Sequence, residues 1–156
     1  MANYTVDDVK KLRAETDAGM MDCKAALDEA EGDYQKAVAI VKAKGLAKAD
    51  KKSAERTTGE GAFASYVHST GKIATLVELL CETDFVARND EFLALAKDIA
   101  MQVAALDPKD NAELLAQDSI KHEGNTIETL IKELSGKTGE KIELGRFVRM
   151  MVGDEA

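Results

Sequence analysis

Tryptophan is absent from this chain of 156 residues, and aromatic side chains make up only 4% of it. Any core must therefore be mostly aliphatic, and a core that light gives modest stability or needs help from an oligomer. No apolar run approaches the roughly 20 residues that cross a bilayer, so no membrane partner is expected. The opening Met1-Ala2-Asn3-Tyr4-Thr5 lacks the basic-then-apolar order of a secretory signal, which leads us to expect a cytoplasmic protein. Cysteine is confined to Cys23 and Cys81 without a C-x-x-C partner, so neither a zinc cage nor a disulfide framework is indicated. Basic excess is missing too. With 29 acidic and 21 basic side chains and a formal charge of −8, the chain does not offer the cationic face that a phosphate backbone demands, and direct nucleic-acid binding is not expected.

What is present is helical at first. Thr5 followed by Asp8 has capping-box spacing, and Val6, Val9 and Leu12 recur at helical intervals up to about Thr16. Asp17-Ala18-Gly19 breaks that helix. Cys23, Ala26, Leu27 and Ala30 then form the stripe of a second one, with Gly32 as its stop, and Asp33 caps a third carrying Tyr34, Ala37, Val38 and Val41 before Gly45. Residues 1–45 thus read as a three-helix domain. Residues 46–60, rich in Ala and Lys with little apolar face, read as a helical or frayed linker.

After Gly61 the period changes to two. Phe63, Ser65 and Val67 alternate with Ala64, Tyr66 and His68; Ser69-Thr70-Gly71-Lys72 supplies a turn; and Ile73, Thr75, Val77, Leu79 and Cys81 resume the alternation as a hairpin. Asn89 or Asp90 caps a helix striped by Phe92, Leu95, Ala96, Ile99, Val103 and Leu106 until Pro108. A short turn around Leu114 and Leu115 follows, then a helix after Asn125 with Ile127, Leu130, Ile131 and Leu134, ended by Gly139. The tail reads as a last strand with Ile142, Leu144, Val148, Met150 and Val152 on one side and Arg146 interrupting. Residues 61–156 are then an α+β domain with a small antiparallel sheet packed with helices.

Ordinary catalytic signals fail one by one. Gly136-Lys137-Thr138 resembles the end of a phosphate loop, but the position where the motif needs its first glycine is Ile131, inside an apolar stripe. Cys23 lies on a buried stripe, His68 and His122 read as solvated, and no carboxylates stand at metal-ligand spacing around them. No enzyme, cofactor or resident metal is expected.

Two segments resist a purely structural reading. Met20 and Met21 adjoin at a helix start and cannot both face inward, so at least one is suited to a recognition surface flanked by Arg13; the alternative is that both cover the small core. Thr83-Asp84-Phe85-Val86 sits where a strand ends, and Phe85 either anchors an interface or, as phenylalanine commonly does, packs inside.

The blocks Leu12-Arg13, Thr16 through Leu27, Gly32-Asp33, Cys81-Glu82-Thr83-Asp84-Phe85-Val86-Ala87-Arg88-Asn89, Gly139 through Ile142 and Arg146 through Arg149 resemble the bacterial elongation factor Ts family. The resemblance implies a ubiquitin-associated-like helical head that docks on the GTPase domain of elongation factor Tu through Arg13, Met20, Met21 and Lys24. It further implies that Asp84 and Phe85 wedge beside the partner's magnesium site, with Thr83 and Val86 holding the tip in shape, so that GDP is released and GTP can enter. An adaptor that uses the head to bind some other protein is the alternative. Compared with long members of the family, the chain lacks the duplicated half of the core, the coiled coil and the terminal helical module. The loss is concentrated between Asp107 and Gly124, and a homodimer pairing through free sheet edges is a possible replacement.

Overall fold

The computed structural model describes residues 3–155, without the side chains of residues 49, 50, 52, 53 and 55. The elements run α1 (Val6–Thr16), α2 (Met20–Glu29), α3 (Tyr34–Glu55), β1 (Glu60–Val67), β2 (Ile73–Cys81), α4 (Asp84–Ala87), α5 (Asp90–Leu106), α6 (Asn111–Ala116), α7 (Ile127–Thr138) and β3 (Glu143–Met151). This is the α+β architecture expected from the change of period.

Two hydrophobic cores form. In the head, Leu12 of α1, Cys23, Ala26 and Leu27 of α2, and Ala37, Val38 and Val41 of α3 close on one another. The capping box at Thr5 and Asp8 is complete and starts α1. The second core lies between the sheet and α5, where Val77, Leu79 and Cys81 meet Phe92, Ile99 and Val103, with Leu114, Ile127 and Ile131 closing the far side.

The third helix departs from expectation. It does not stop at Gly45 but continues to Glu55, so the expected boundary at residue 45 falls inside one helix. The reason is tertiary packing: α3 lies against α7, and a Cβ placed on Gly136 would stand 3.4 Å from the Gly45 carbonyl oxygen. With no side chain at Gly136, α7 lies against the Gly45 carbonyl of α3, and this contact offsets the weak apolar face of the stretch.

The sheet is antiparallel in the order β1-β2-β3, so the last strand joins the hairpin as expected, but its facing is different. The register of β2 with β3 slips between Val77, opposite Phe147, and Leu79, opposite Leu144. The bulge at Gly145 and Arg146 is held by Glu78, whose carboxylate accepts from Arg146 N at 3.2 Å and from its guanidinium at 3.0 Å. One extra residue reverses every later side chain. Leu144 and Phe147 therefore pack on the core, whereas Val148 and Met150 point outward, contrary to the single-sided reading of the tail.

Candidate partner-docking site

Strand β2 delivers the chain to Cys81 on the buried face of the sheet, and the next residues must leave it. Thr83 does so with extended backbone and caps α4, its Oγ1 accepting from Val86 N at 3.5 Å. The single turn closes with Ala87 N to Thr83 O at 3.2 Å and Arg88 N to Asp84 O at 3.2 Å. A helix of one turn has no stability of its own. Here it is held by contacts: Ala87 is buried and Val86 packs against the core, and Asn89 caps α5 directly behind, its Oδ1 accepting from Glu91 N at 2.8 Å. With Val86 and Ala87 turned inward, Phe85 is turned out, and it is 84% exposed. The core-packing alternative for Phe85 is thereby corrected.

Asp84 lies beside it, half-buried, its carboxylate 3.4 Å from the Arg88 guanidinium one turn on. A large apolar ring left in water next to a carboxylate is an unsatisfied surface: covering a phenylalanine is worth about 1.5–3 kcal/mol.

The tip is braced from the opposite end of the sequence. Glu140 accepts from Glu82 N at 3.2 Å, from Thr83 N at 3.1 Å and from the Thr83 hydroxyl. In return Glu82 accepts from Lys141 N at 2.6 Å and from Arg56 at 3.2 Å. No local pattern in the sequence announces this clasp, because its halves lie 57 residues apart.

In the head, Arg13, Met20, Met21 and Lys24 are all exposed. Met20 and Lys24 are one helical turn apart and share a stripe of α2, while Met21 lies on the next. Met21 is 73% and Met20 40% exposed, so the alternative in which both cover the core does not hold. These four residues belong to the head and the Thr83–Val86 segment to the body. What joins the two is the α3–α7 contact and Lys137, whose Nζ lies 3.1 Å from Asp17 in the head and 2.9 Å from Glu91 at the start of α5.

The remaining candidates resolve simply. Gly136-Lys137-Thr138 is the last turn of α7, not a phosphate loop. Cys23 and Cys81 are free and buried. Burial, then the nearby Glu140 carboxylate, push the Cys81 thiol up to about 11, which leaves almost no thiolate at neutral pH. His122 is not merely solvated as expected, since its Nε2 stands 2.8 Å from Asp98 Oδ2 on α5. Among the described residues no three His, Cys, Asp or Glu side chains group to hold a metal, and no helix is long and apolar enough to cross a membrane.

The family described as Elongation factor TS matches residues 82–156, the half that carries the tip and its clasp. Over the whole chain the protein is similar to Elongation factor Ts of Solidesulfovibrio magneticus, at 40% identity with all of both chains covered. It is 41% identical to that of Oleidesulfovibrio alaskensis, covering 98% of this chain and all of the relative. The likeness to Elongation factor Ts of Aquifex aeolicus is 49% over 93% of this chain, which spans about half (51%) of that longer protein. The alignment with the Solidesulfovibrio protein runs over 201 positions, more than the 156 residues available, so relatives carry segments that this chain does without.

Proposed function

Because the chain belongs to the elongation factor Ts family and so is an elongation factor of protein biosynthesis, we propose that it binds elongation factor Tu carrying GDP and promotes release of the nucleotide by pressing Phe85 and Asp84 beside the bound magnesium. It does this in the cytoplasm, and as a binding protein rather than an enzyme. The observation that carries the reading is the exposure of Phe85 at 84% on a turn that Thr83, Val86 and Ala87 anchor. A rigid mount matters because a soft one would yield before the partner did.

The chemistry fits such a wedge. Magnesium holds nucleotide phosphates through nearly ideal octahedral oxygen geometry, so a small shift of its surroundings weakens the grip. By linkage, whatever factor the bound chain takes from GDP affinity, GDP takes from the chain's affinity for its partner. Exchange is thereby accelerated in both directions, and the nucleotide pool decides which one prevails. Arg13, Met20, Met21 and Lys24 supply a second contact on the GTPase domain, while residues 1–45, 46–60 and 61–156 divide the labour as head, linker and body, head and linker sharing the unbroken helix α3. A second copy of the chain takes the place of the segments that longer relatives carry.

The test is release of a fluorescent GDP analogue from elongation factor Tu with and without the chain. Marked acceleration is expected, and an unchanged rate overturns the reading. Binding of an unrelated protein through Met20 and Met21, with no binding to elongation factor Tu, favours the adaptor alternative instead.

A further inference from the structure

The Phe85 turn is fixed less by its own sequence than by one carboxylate supplied from the end of α7. Glu140 accepts three hydrogen bonds at the base of the turn: the N–H groups of Glu82 and Thr83 at 3.2 and 3.1 Å, and the hydroxyl of Thr83. That third bond has a directional consequence. A hydroxyl has one proton; once it is given to Glu140, the lone pairs of Thr83 Oγ1 face Val86 N, which is the cap that starts α4. Glu140 is itself held in place, since the buried Ser135 hydroxyl donates to its carbonyl oxygen and Gly139 turns the chain with φ +75.

From this geometry we infer that Glu140 is a positioning residue for nucleotide release: its carboxylate sets the direction in which Phe85 leaves the sheet. The inference rests on the reading of Phe85 as the wedge. A carboxylate takes all three as an acceptor, both amides on one oxygen and the hydroxyl on the other. Glu140→Gln can keep the two amide bonds and reverse only the hydroxyl bond, since the Thr83 hydroxyl also accepts, whereas Glu140→Ala removes all three. Glu140→Asp keeps the charge but withdraws it by one methylene, too far to span the hydroxyl and both amides together.

Two measurements on the full chain test this. In the free protein, amide hydrogen exchange at Glu82 and Thr83 is expected to quicken by about tenfold in Glu140→Ala, the effect of stripping an acceptor from a half-buried donor, while the amides of β2 keep their protection. With elongation factor Tu, Glu140→Ala is expected to slow the stimulated release of fluorescent GDP by roughly tenfold, as a small misplacement of a working group does. Combining it with Phe85→Ala is expected to add nothing further. Should Glu140→Ala fail to fold, Glu140→Asp carries both measurements with the same expectations. Unchanged exchange at Glu82 and Thr83 overturns the positioning role. A normal release rate for the Glu140 variant beside a defective Phe85→Ala also overturns it, and spares the wedge. A normal rate for Phe85→Ala itself overturns the wedge reading, and with it the functional part of this inference.

Discussion

Lys137 stands 3.1 Å from Asp17, and this ion pair ties the last helix of the body to the turn between the first two helices of the head. Beneath it Gly136 backs onto the carbonyl of Gly45 at Cβ contact distance, 3.4 Å. Crowding the helix contact does more damage than losing the ion pair. An exposed pair is worth about 0.2–1 kcal/mol, whereas the methyls of a valine, lying beyond a Cβ already at van der Waals contact, overpack the contact at about 1–3 kcal/mol. Gly136→Val is therefore expected to lower the melting temperature clearly and to enlarge the radius of gyration in solution scattering. Lys137→Ala is expected to shift melting only slightly. Equal effects of the two would contradict this ordering.

Asp84 can act in the wedge by charge or by shape, and the expectation is that charge contributes. Asp84→Asn keeps the shape and removes the charge, so GDP release is expected to slow several-fold while the melting curve stays near that of the parent, because the pair with Arg88 is exposed and weak. An unchanged release rate would leave shape as the only contribution of this residue.

The bulge in β3 gives a pH dependence. The Arg146 guanidinium, and then its backbone N–H, hold the Glu78 carboxyl below its ordinary value. A lowered folded value means that the stabilisation is fully present above the ordinary value of 4.5 and is lost as pH falls through the lower folded one. Glu78→Gln is thus expected to melt lower than the parent at neutral pH, with the gap closing in acid below that range. A gap that persists unchanged at low pH would remove the pair as its cause.

Self-association has a larger surface available than the sheet edges expected from the sequence. Phe63 and Val67 of β1, Leu76 of β2, and Val148 and Met150 of β3 are exposed, and the strand register sets them on the outer face of the sheet. A patch of this kind suits a twofold contact with a second copy. Light scattering at working concentration is expected to give a dimer mass, and Leu76→Lys a monomer. A monomeric parent protein would rule the contact out.

Short-range signals carried much of this into the sequence itself. The capping box at Thr5, the stripes of α2, α5 and α7 and the alternation along β2 all follow from neighbours within four residues, and they formed as read except that Leu106, at the end of the α5 stripe, is exposed. Where the outcome hangs on distant partners, the pattern misled. Gly45 looks like a stop until α7 lies against it. Val148 looks inward until Glu78 draws out the bulge. For the candidate site, composition alone favoured burying Phe85, and it was the fixing of Val86 and Ala87 beneath it that left the ring outside. Glu140 bore no local mark at all, since its role exists only when residues 82–83 and 140 meet.

The central claim concerns the ring of Phe85, and its most direct test is the rate at which elongation factor Tu releases a fluorescent GDP analogue in the presence of Phe85→Ala. Stimulation is expected to fall by about tenfold to a hundredfold, the factor that covering such a side chain represents, with circular dichroism and melting like those of the parent. Release at the parent's rate by a folded Phe85→Ala would contradict the account.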